Sequence, residues 1–213
     1  MKIMVIVPHA DDAEIGMGGT MGRLVAEGHD VKLVTAILPC ETIDGTAVDE
    51  RKEARRKESL QASDILGVEN RILDLDPYDF SFNRRYTKIF DKILRDFGPN
   101  QVFTCWEGDS HQDHLSLVKI LFVATRKNNC SMFMFENTTP GGITTSSFNP
   151  QLYMDVSNYI NVKKASLSQY KSVFGDDESV LESVISRARY RGQQIGVEYA
   201  ECFEVVKDIR YHD

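Results

Sequence analysis

Two short stretches of the chain concentrate residues able to do acid–base or metal chemistry. The first, PHADDAEIGMGGT, places His9, Asp11, Asp12 and Glu14 within six positions. The second, WEGDSHQDH, places His111, Asp113 and His114 within four. A histidine, a carboxylate and a second histidine form a common ligand set for catalytic zinc, which keeps a fourth position open for water. His9 and Asp12 stand three apart on a turn entering a helix, so both side chains can reach one ion. His111 and His114 are also three apart, and such a pair at a helix start shares one face. These are more ligands than a tetrahedral site with an open position takes. The surplus suits a hydrolytic centre, which needs a base for water and a donor for a developing oxyanion.

Each residue also has a plainer reading. Ser110 with Asp113 fits a capping pair at a helix start. Asp11, Asp12 and Glu14 suit a helix N-terminus, where negative charge is favoured. The GMGGT segment partly matches the Gly-rich turn that cradles a dinucleotide pyrophosphate. Its spacing is G-x-G-G, not G-x-G-x-x-G, and the neighbouring carboxylates repel a pyrophosphate. A nicotinamide-dependent oxidoreductase is therefore the weaker functional class. Gly18 and Gly19 better suit close packing of the first helix.

The elements that must carry these residues decide between the readings. KIMVIV (2–7) is an apolar run of strand length, followed by a helix over 14–27. VKLVTAI (31–37), RILDL (71–75), QVFTCW (101–106) and SMFMFE (131–136) are further strands. Helices over 48–66, 86–97 and from His114 separate them. A strand at 152–156, helices near 161–172 and 179–194, and CFEVV close the chain. Strands alternating with helices of this length imply an α/β, Rossmann-like three-layer fold, its mainly parallel sheet wrapped by helices. In such sheets, ligands bind outside the carboxyl ends of the strands. His9, Asp11 and Asp12 lie just past strand one, and His111, Asp113 and His114 just past strand four. Both stretches therefore meet at one sheet edge, which is the expected active site. The loop 136–150, rich in Gly, Ser, Thr and Pro, emerges there too and is expected to set substrate choice, with Glu136 at its root accepting a hydrogen bond.

Composition sets the outer limits. A chain of 213 residues with 42% hydrophobic content buries one good core, so a single domain over 1–213 is expected. A net charge of −7 argues against nucleic acid as a partner. Neither a signal peptide nor a membrane segment is read, since no long apolar run occurs. Four scattered cysteines without a CxxC pair read as thiols of a cytoplasmic protein. The sequence is compatible with a homo-oligomer.

The two motifs resemble the H-P-D-D-x-E…G-G-T and D-x-H-x-D-H signatures of the LmbE-like, or PIG-L, zinc-dependent N-deacetylases. RRKESLQASDILGV, FNPQLYMDVSNYINVKKASLSQYKS and ARYRGQQIGVEYAECF are similar to further family segments, so the resemblance covers nearly the whole chain. Ala10 and Gln112 stand where many members have proline. The loop after strand two lacks the Gly-Thr-Arg-Gly run of members acting on thiol-precursor glycosides. The resemblance implies Zn2+ held by His9, Asp12 and His114. It makes Asp11 the general base, His111 the electrophile or general acid, and Asp113 the residue that orients His111. The implied substrate is a small N-acetylated amino sugar or its conjugate, the reaction amide hydrolysis. An amidase for a larger acyl group, or a metal-binding module without catalysis, is the alternative; Arg51 or Arg55 is a candidate substrate contact.

Overall fold

The computed structural model describes residues 1–38, 48–137, 144, 146–175 and 178–210. Cys40 and residues 138–143 and 145 of the 136–150 loop lie outside them. Strand β1 (Lys2–Val7) is buried from Ile3 onward. Ile3, Val5 and Val7 pack with Ala13, Met17 and Met21 of helix α1 (Asp12–Ala26). Met4 and Ile6 pack on the opposite face, against α3 (Arg84–Phe97) and α4 (Gln112–Ala124). Burial on both faces is why this strand reads as an unbroken apolar run.

The other elements are β2 (Asp30–Thr35), α2 (Val48–Leu66), β3 (Glu69–Ile72), β4 (Gln101–Cys105), β5 (Ser131–Phe135), β6 (Leu152–Asp155), α5 (Ile160–Leu167), α6 (Lys171–Phe174), α7 (Ser179–Ile195) and β7 (Ala200–Lys207). One seven-stranded sheet runs in the order β3-β2-β1-β4-β5-β7-β6. Strands β1 to β5 pair with one another in parallel, and β7 is antiparallel to both β5 and β6. This is the expected Rossmann-like α/β fold. Among the described residues, no helix is long and apolar enough to cross a membrane.

Three local differences from the sequence reading have physical causes. The third strand spans 69–72, not 71–75, yet Leu73 and Leu75 still donate to the Thr35 and Ala36 carbonyls. The chain stays hydrogen-bonded to its neighbour past the strand's end, but Asp74, between these two leucines, turns to a left-handed φ of 52° and interrupts the regular strand. The helix expected over 161–172 divides into α5 and α6. The last strand, which the sequence reading did not place within the sheet, inserts between β5 and β6. Ala200 to Phe203 are all buried and need neighbours on both sides, whereas half-exposed β6 suits an edge.

Helix α1 is broken at Met17 (φ −146°, ψ 26°), and buried charges satisfy the backbone on either side. Lys163 Nζ donates to the Ile15 carbonyl at 2.9 Å, and Arg187 Nη2 donates to it at 3.1 Å. The Glu201 carboxylate accepts the Gly19 and Thr20 N–H groups at 3.1 and 2.6 Å and pairs with Lys163. The glycines of GMGGT thus serve packing. A Cβ on Gly16 would lie 2.0 Å from Phe135, and one on Gly19 2.8 Å from Val156. With Glu201 on the Gly19 and Thr20 amides, those donors are not available to a pyrophosphate. Lys163→Met should lower stability by about 3–5 kcal/mol, because it leaves the Glu201 carboxylate buried without its cation. Denaturant unfolding measures it, and a loss below roughly 1 kcal/mol would show that the pair is dispensable.

Candidate active site

Strand β1 ends at Val7, and the chain turns sharply through Pro8 to Asp11. Asp11 sits at φ 97°, a left-handed conformation that carries strain in any residue but glycine, and Asp among the least. It occupies the N-cap position of α1, yet its side chain makes no capping hydrogen bond. Instead it lines a cavity of about 670 Å³ at the carboxyl ends of the strands, together with His9, Asp12, His111, Asp113 and His114. Six of the seven residues singled out in the two stretches therefore meet in one cavity. Glu14 is buried but does not line it; burial pushes its carboxyl up to about 7.

The second stretch arrives from β4 through the turn before α4. The helix is capped by His111, whose Nδ1 accepts the Asp113 N–H at 3.2 Å, and not by the expected Ser110–Asp113 pair. Asp109, which the sequence reading left without a role, anchors the turn. Its Oδ1 accepts the His111 N–H at 2.9 Å and its Oδ2 lies 2.8 Å from His114 Nδ1. Asp109 is the first residue of DSHQDH, the one signal that could have singled it out.

These contacts set the histidine tautomers, because a carboxylate only accepts. His114 donates from Nδ1 to Asp109, which leaves Nε2 free as a ligand atom. His9 Nε2 lies 2.9 Å from Asp113 Oδ2, which leaves Nδ1 free. Asp113 was expected to orient His111. Its carboxylate instead rests on His9 and stands 3.9 Å from His111, which it orients through its backbone N–H. A carboxylate behind each imidazole is the usual support of a metal-binding histidine.

The free nitrogens converge. His9 Nδ1 and His114 Nε2 are 3.3 Å apart; Asp12 Oδ2 lies 3.5 Å from the first and Asp12 Oδ1 3.4 Å from the second. In a tetrahedral site with bonds near 2.0–2.1 Å, ligand atoms stand about 3.4 Å from one another. These three residues therefore fit a small divalent cation. His111 belongs to a wider group, with His9 and His114, whose nitrogens fall within 4.8 Å. Asp12 is held by the His9 N–H at 2.9 Å and by Asn137 Nδ2 at 2.9 Å. Asn137, buried just past β5, was not anticipated.

Charge follows the same geometry. Burial opposes a proton on His9, but hydrogen bonds to Asp113 and Asp12 outweigh it and raise the imidazole to about 9. His114 is pushed up to about 12, burial again opposing and the Asp12 charge prevailing. Asp12 is held well below the carboxylate range; burial opposes this, and His114 overcomes it. Asp11 goes the other way. Burial and the Asp12 charge raise it to about 8, against the pull of Arg55. His111 is lowered by burial and by the cationic neighbours His9 and His114. Adjacent carboxylates with opposed shifts mark a site where one binds and its neighbour handles protons.

Arg55, one of the two arginines considered from sequence, lines the cavity from α2 with Nη1 3.9 Å from Asp11 Oδ2. Arg51 does not line it. Glu136 accepts two hydrogen bonds from Arg191, at 2.8 and 2.5 Å, and so fixes the end of β5 rather than facing the cavity. Of the loop expected to set substrate choice, residues 138–143 and 145 lie outside the described residues.

Fold and site together define an α/β protein of the Rossmann-like type with a ligand set for a metal ion at the carboxyl edge of its sheet. Residues 4–125 match the family model of the GlcNAc-PI de-N-acetylases, PIG-L. The chain belongs to that family. It is 28% identical to a diacetylchitobiose deacetylase of Thermococcus kodakarensis over 99% of this chain and 85% of the relative. It is 32% identical to an uncharacterised deacetylase of Escherichia coli over 80% of this chain and 90% of the other. Its fold matches the N,N'-diacetylchitobiose deacetylase of Pyrococcus horikoshii with a TM-score of 0.82, at 24% identity, over 96% of this chain and 83% of that one.

Proposed function

We propose that the protein is a zinc-dependent N-deacetylase of N-acetylated amino sugars, with His9, Asp12 and His114 holding the ion. One observation carries this reading. The His9 and His114 nitrogens stand 3.3 Å apart with one oxygen of the Asp12 carboxylate 3.5 Å from the first and the other 3.4 Å from the second, while Asp11 and His111 line the same cavity. Bound there, a divalent cation supplies Lewis acidity toward water and toward an amide carbonyl. Asp11, ionised, takes a proton from the attacking water. His111, whose Nδ1 accepts a backbone N–H, carries its proton on Nε2 and keeps it, donating a hydrogen bond to the oxygen of the tetrahedral intermediate. The proton held by Asp11 returns to the nitrogen as the C–N bond breaks, so water and amide become acetate and amine. Asp113 and Asp109 keep the two liganding imidazoles in the required tautomers. A metal-binding module needs neither Asp11 nor His111, which favours the enzyme. One domain over 1–213, acting in the cytoplasm, accords with the buried, unpaired thiols of Cys105, Cys130 and Cys202.

The test is acetate release from N-acetylglucosamine and N,N'-diacetylchitobiose, followed by proton NMR. Equal acetate and free amine, lost with chelator and restored by zinc at one ion per chain, is the expected result. A protein that binds one zinc and releases no acetate from any N-acetylated sugar would refute the activity.

Metal uptake should also depend on pH. His9 Nδ1 and His114 Nε2 face each other across 3.3 Å, room for one proton between them, and the shifts hold that proton through neutrality. Zinc must displace it, so affinity should fall about tenfold for each unit of pH lowered between 8 and 6. Calorimetry in buffers of different ionisation enthalpy should show about one proton released per zinc. Affinity that is flat with pH would place the ion elsewhere.

A further inference from the structure

The geometry points to Tyr78 as the residue that sets substrate length, its ring stacking on the sugar unit next to the one that carries the acetamide; this rests on the deacetylase reading above. The cavity has two zones. Its floor is the polar cluster, with Asp12 and His114 only 5% and 1% exposed. Its outer wall carries apolar side chains, Pro77 and Tyr78 on the loop after β3 and Val173, Phe174 and Val180 from the segment around α6 and α7, beside the polar Gln112. Tyr78 is 76% exposed, the most exposed large hydrophobic residue among those described.

An aromatic ring left in water at the rim of a cavity is useful only if it is held still, and this one is. Leu73 and Leu75 hydrogen-bond along β2, and Asp74 pairs with Lys52 at 2.6 Å and Arg56 at 3.0 Å. Pro77 fixes its own φ. The Tyr78 N–H donates to Asp76 Oδ1 at 3.0 Å. Two residues on, Phe80 is 5% exposed and packs against Tyr86, 5.1 Å between ring centroids. Asp79 accepts from Arg85 and from the Tyr86 hydroxyl. The loop is thus pinned before and after Tyr78, and the ring is presented from a fixed backbone.

The chemistry around Tyr78 selects the occupant. The Asp76 carboxylate, which accepts the Tyr78 N–H, disfavours an anionic group beside the ring. A single aromatic face beside a carboxylate does not make the continuous apolar track that a lipid chain needs. A pyranose ring fits both conditions, since its C–H face packs on an aromatic plane while its hydroxyls reach polar neighbours. With the reacting acetamide on the floor, the ring over Tyr78 is the adjoining unit.

The experiment compares wild type, Tyr78→Ala and Tyr78→Trp on N-acetylglucosamine, on N,N'-diacetylchitobiose and on octyl N-acetylglucosaminide. Tyr78→Ala should raise KM for the disaccharide roughly tenfold and lower the disaccharide-to-monosaccharide ratio of kcat/KM by the same factor. Tyr78→Trp, which keeps an aromatic face, should restore the ratio. An unchanged ratio, an equal loss on both sugars, or a shift confined to the octyl glycoside would overturn the assignment. If wild type releases acetate from none of them, the deacetylase reading is what fails. Binding of diacetylchitobiose to the zinc-loaded protein then decides: affinity that drops with Tyr78→Ala and returns with Tyr78→Trp upholds the platform, and affinity indifferent to Tyr78, or no binding, refutes it.

Discussion

Asp11→Asn should keep its full complement of zinc and lose turnover by a factor of about 10²–10⁴, the usual range for a general base. The side chain caps nothing and belongs to none of the three ligand edges, so the fold and the ion should survive the change. An amide in its place keeps shape and volume but cannot take the proton of water. The loss should fall on kcat and kcat/KM together, because the proton transfer is made only on the way to the transition state. The pH profile gives a second check. Burial and Asp12 hold the Asp11 carboxyl high, near 8 in the metal-free chain, and Arg55 opposes them. A base must be ionised, so activity falls as pH drops through its pKa. Zinc bound to Asp12 adds positive charge and moves that fall to lower pH, whereas Arg55→Met removes positive charge and moves it to higher pH. Near wild-type turnover in Asp11→Asn would show that another group is the base.

His114→Ala should abolish tight zinc binding and activity together. It removes one of three ligand atoms and opens a cavity where a side chain 2% exposed stood. Asp109→Asn is the informative partner variant. The amide can still accept the His111 N–H, but it no longer holds the imidazole of His114 in one tautomer by charge. Losses of about 10–100-fold in zinc affinity are typical of such supporting carboxylates. The expected order is therefore wild type, then Asp109→Asn, then His114→Ala, read as zinc content after dialysis against graded chelator. Full zinc retention by His114→Ala would transfer the ligand role to the wider histidine group that includes His111.

The sequence by itself determined the frame of this protein. Apolar runs without alternation announced strands buried on both faces, and the helices between them required crossovers, hence a parallel sheet. That rule alone brought His9 and His114, 105 residues apart, to one sheet edge. Local chemistry was legible wherever a residue type and its spacing sufficed: the two stretches, the packing glycines, the strand ends. Only the tertiary structure decided the rest, because it depends on which side chains from distant segments touch. Residue spacing cannot say that Asp113 turns its carboxylate to His9 rather than to His111, since the two histidines arrive from different strands. It cannot say that Asp109 reaches back to His114, or that Asn137 closes over Asp12 from β5. The insertion of β7 between β5 and β6 follows from a competition for buried backbone partners, which a pattern of single residues does not record. The break in α1 is of the same kind. Helical periodicity runs through Met17 without interruption, and the break exists because Lys163, Arg187 and Glu201, nine to twelve elements later in the chain, satisfy the amides and carbonyl that it exposes.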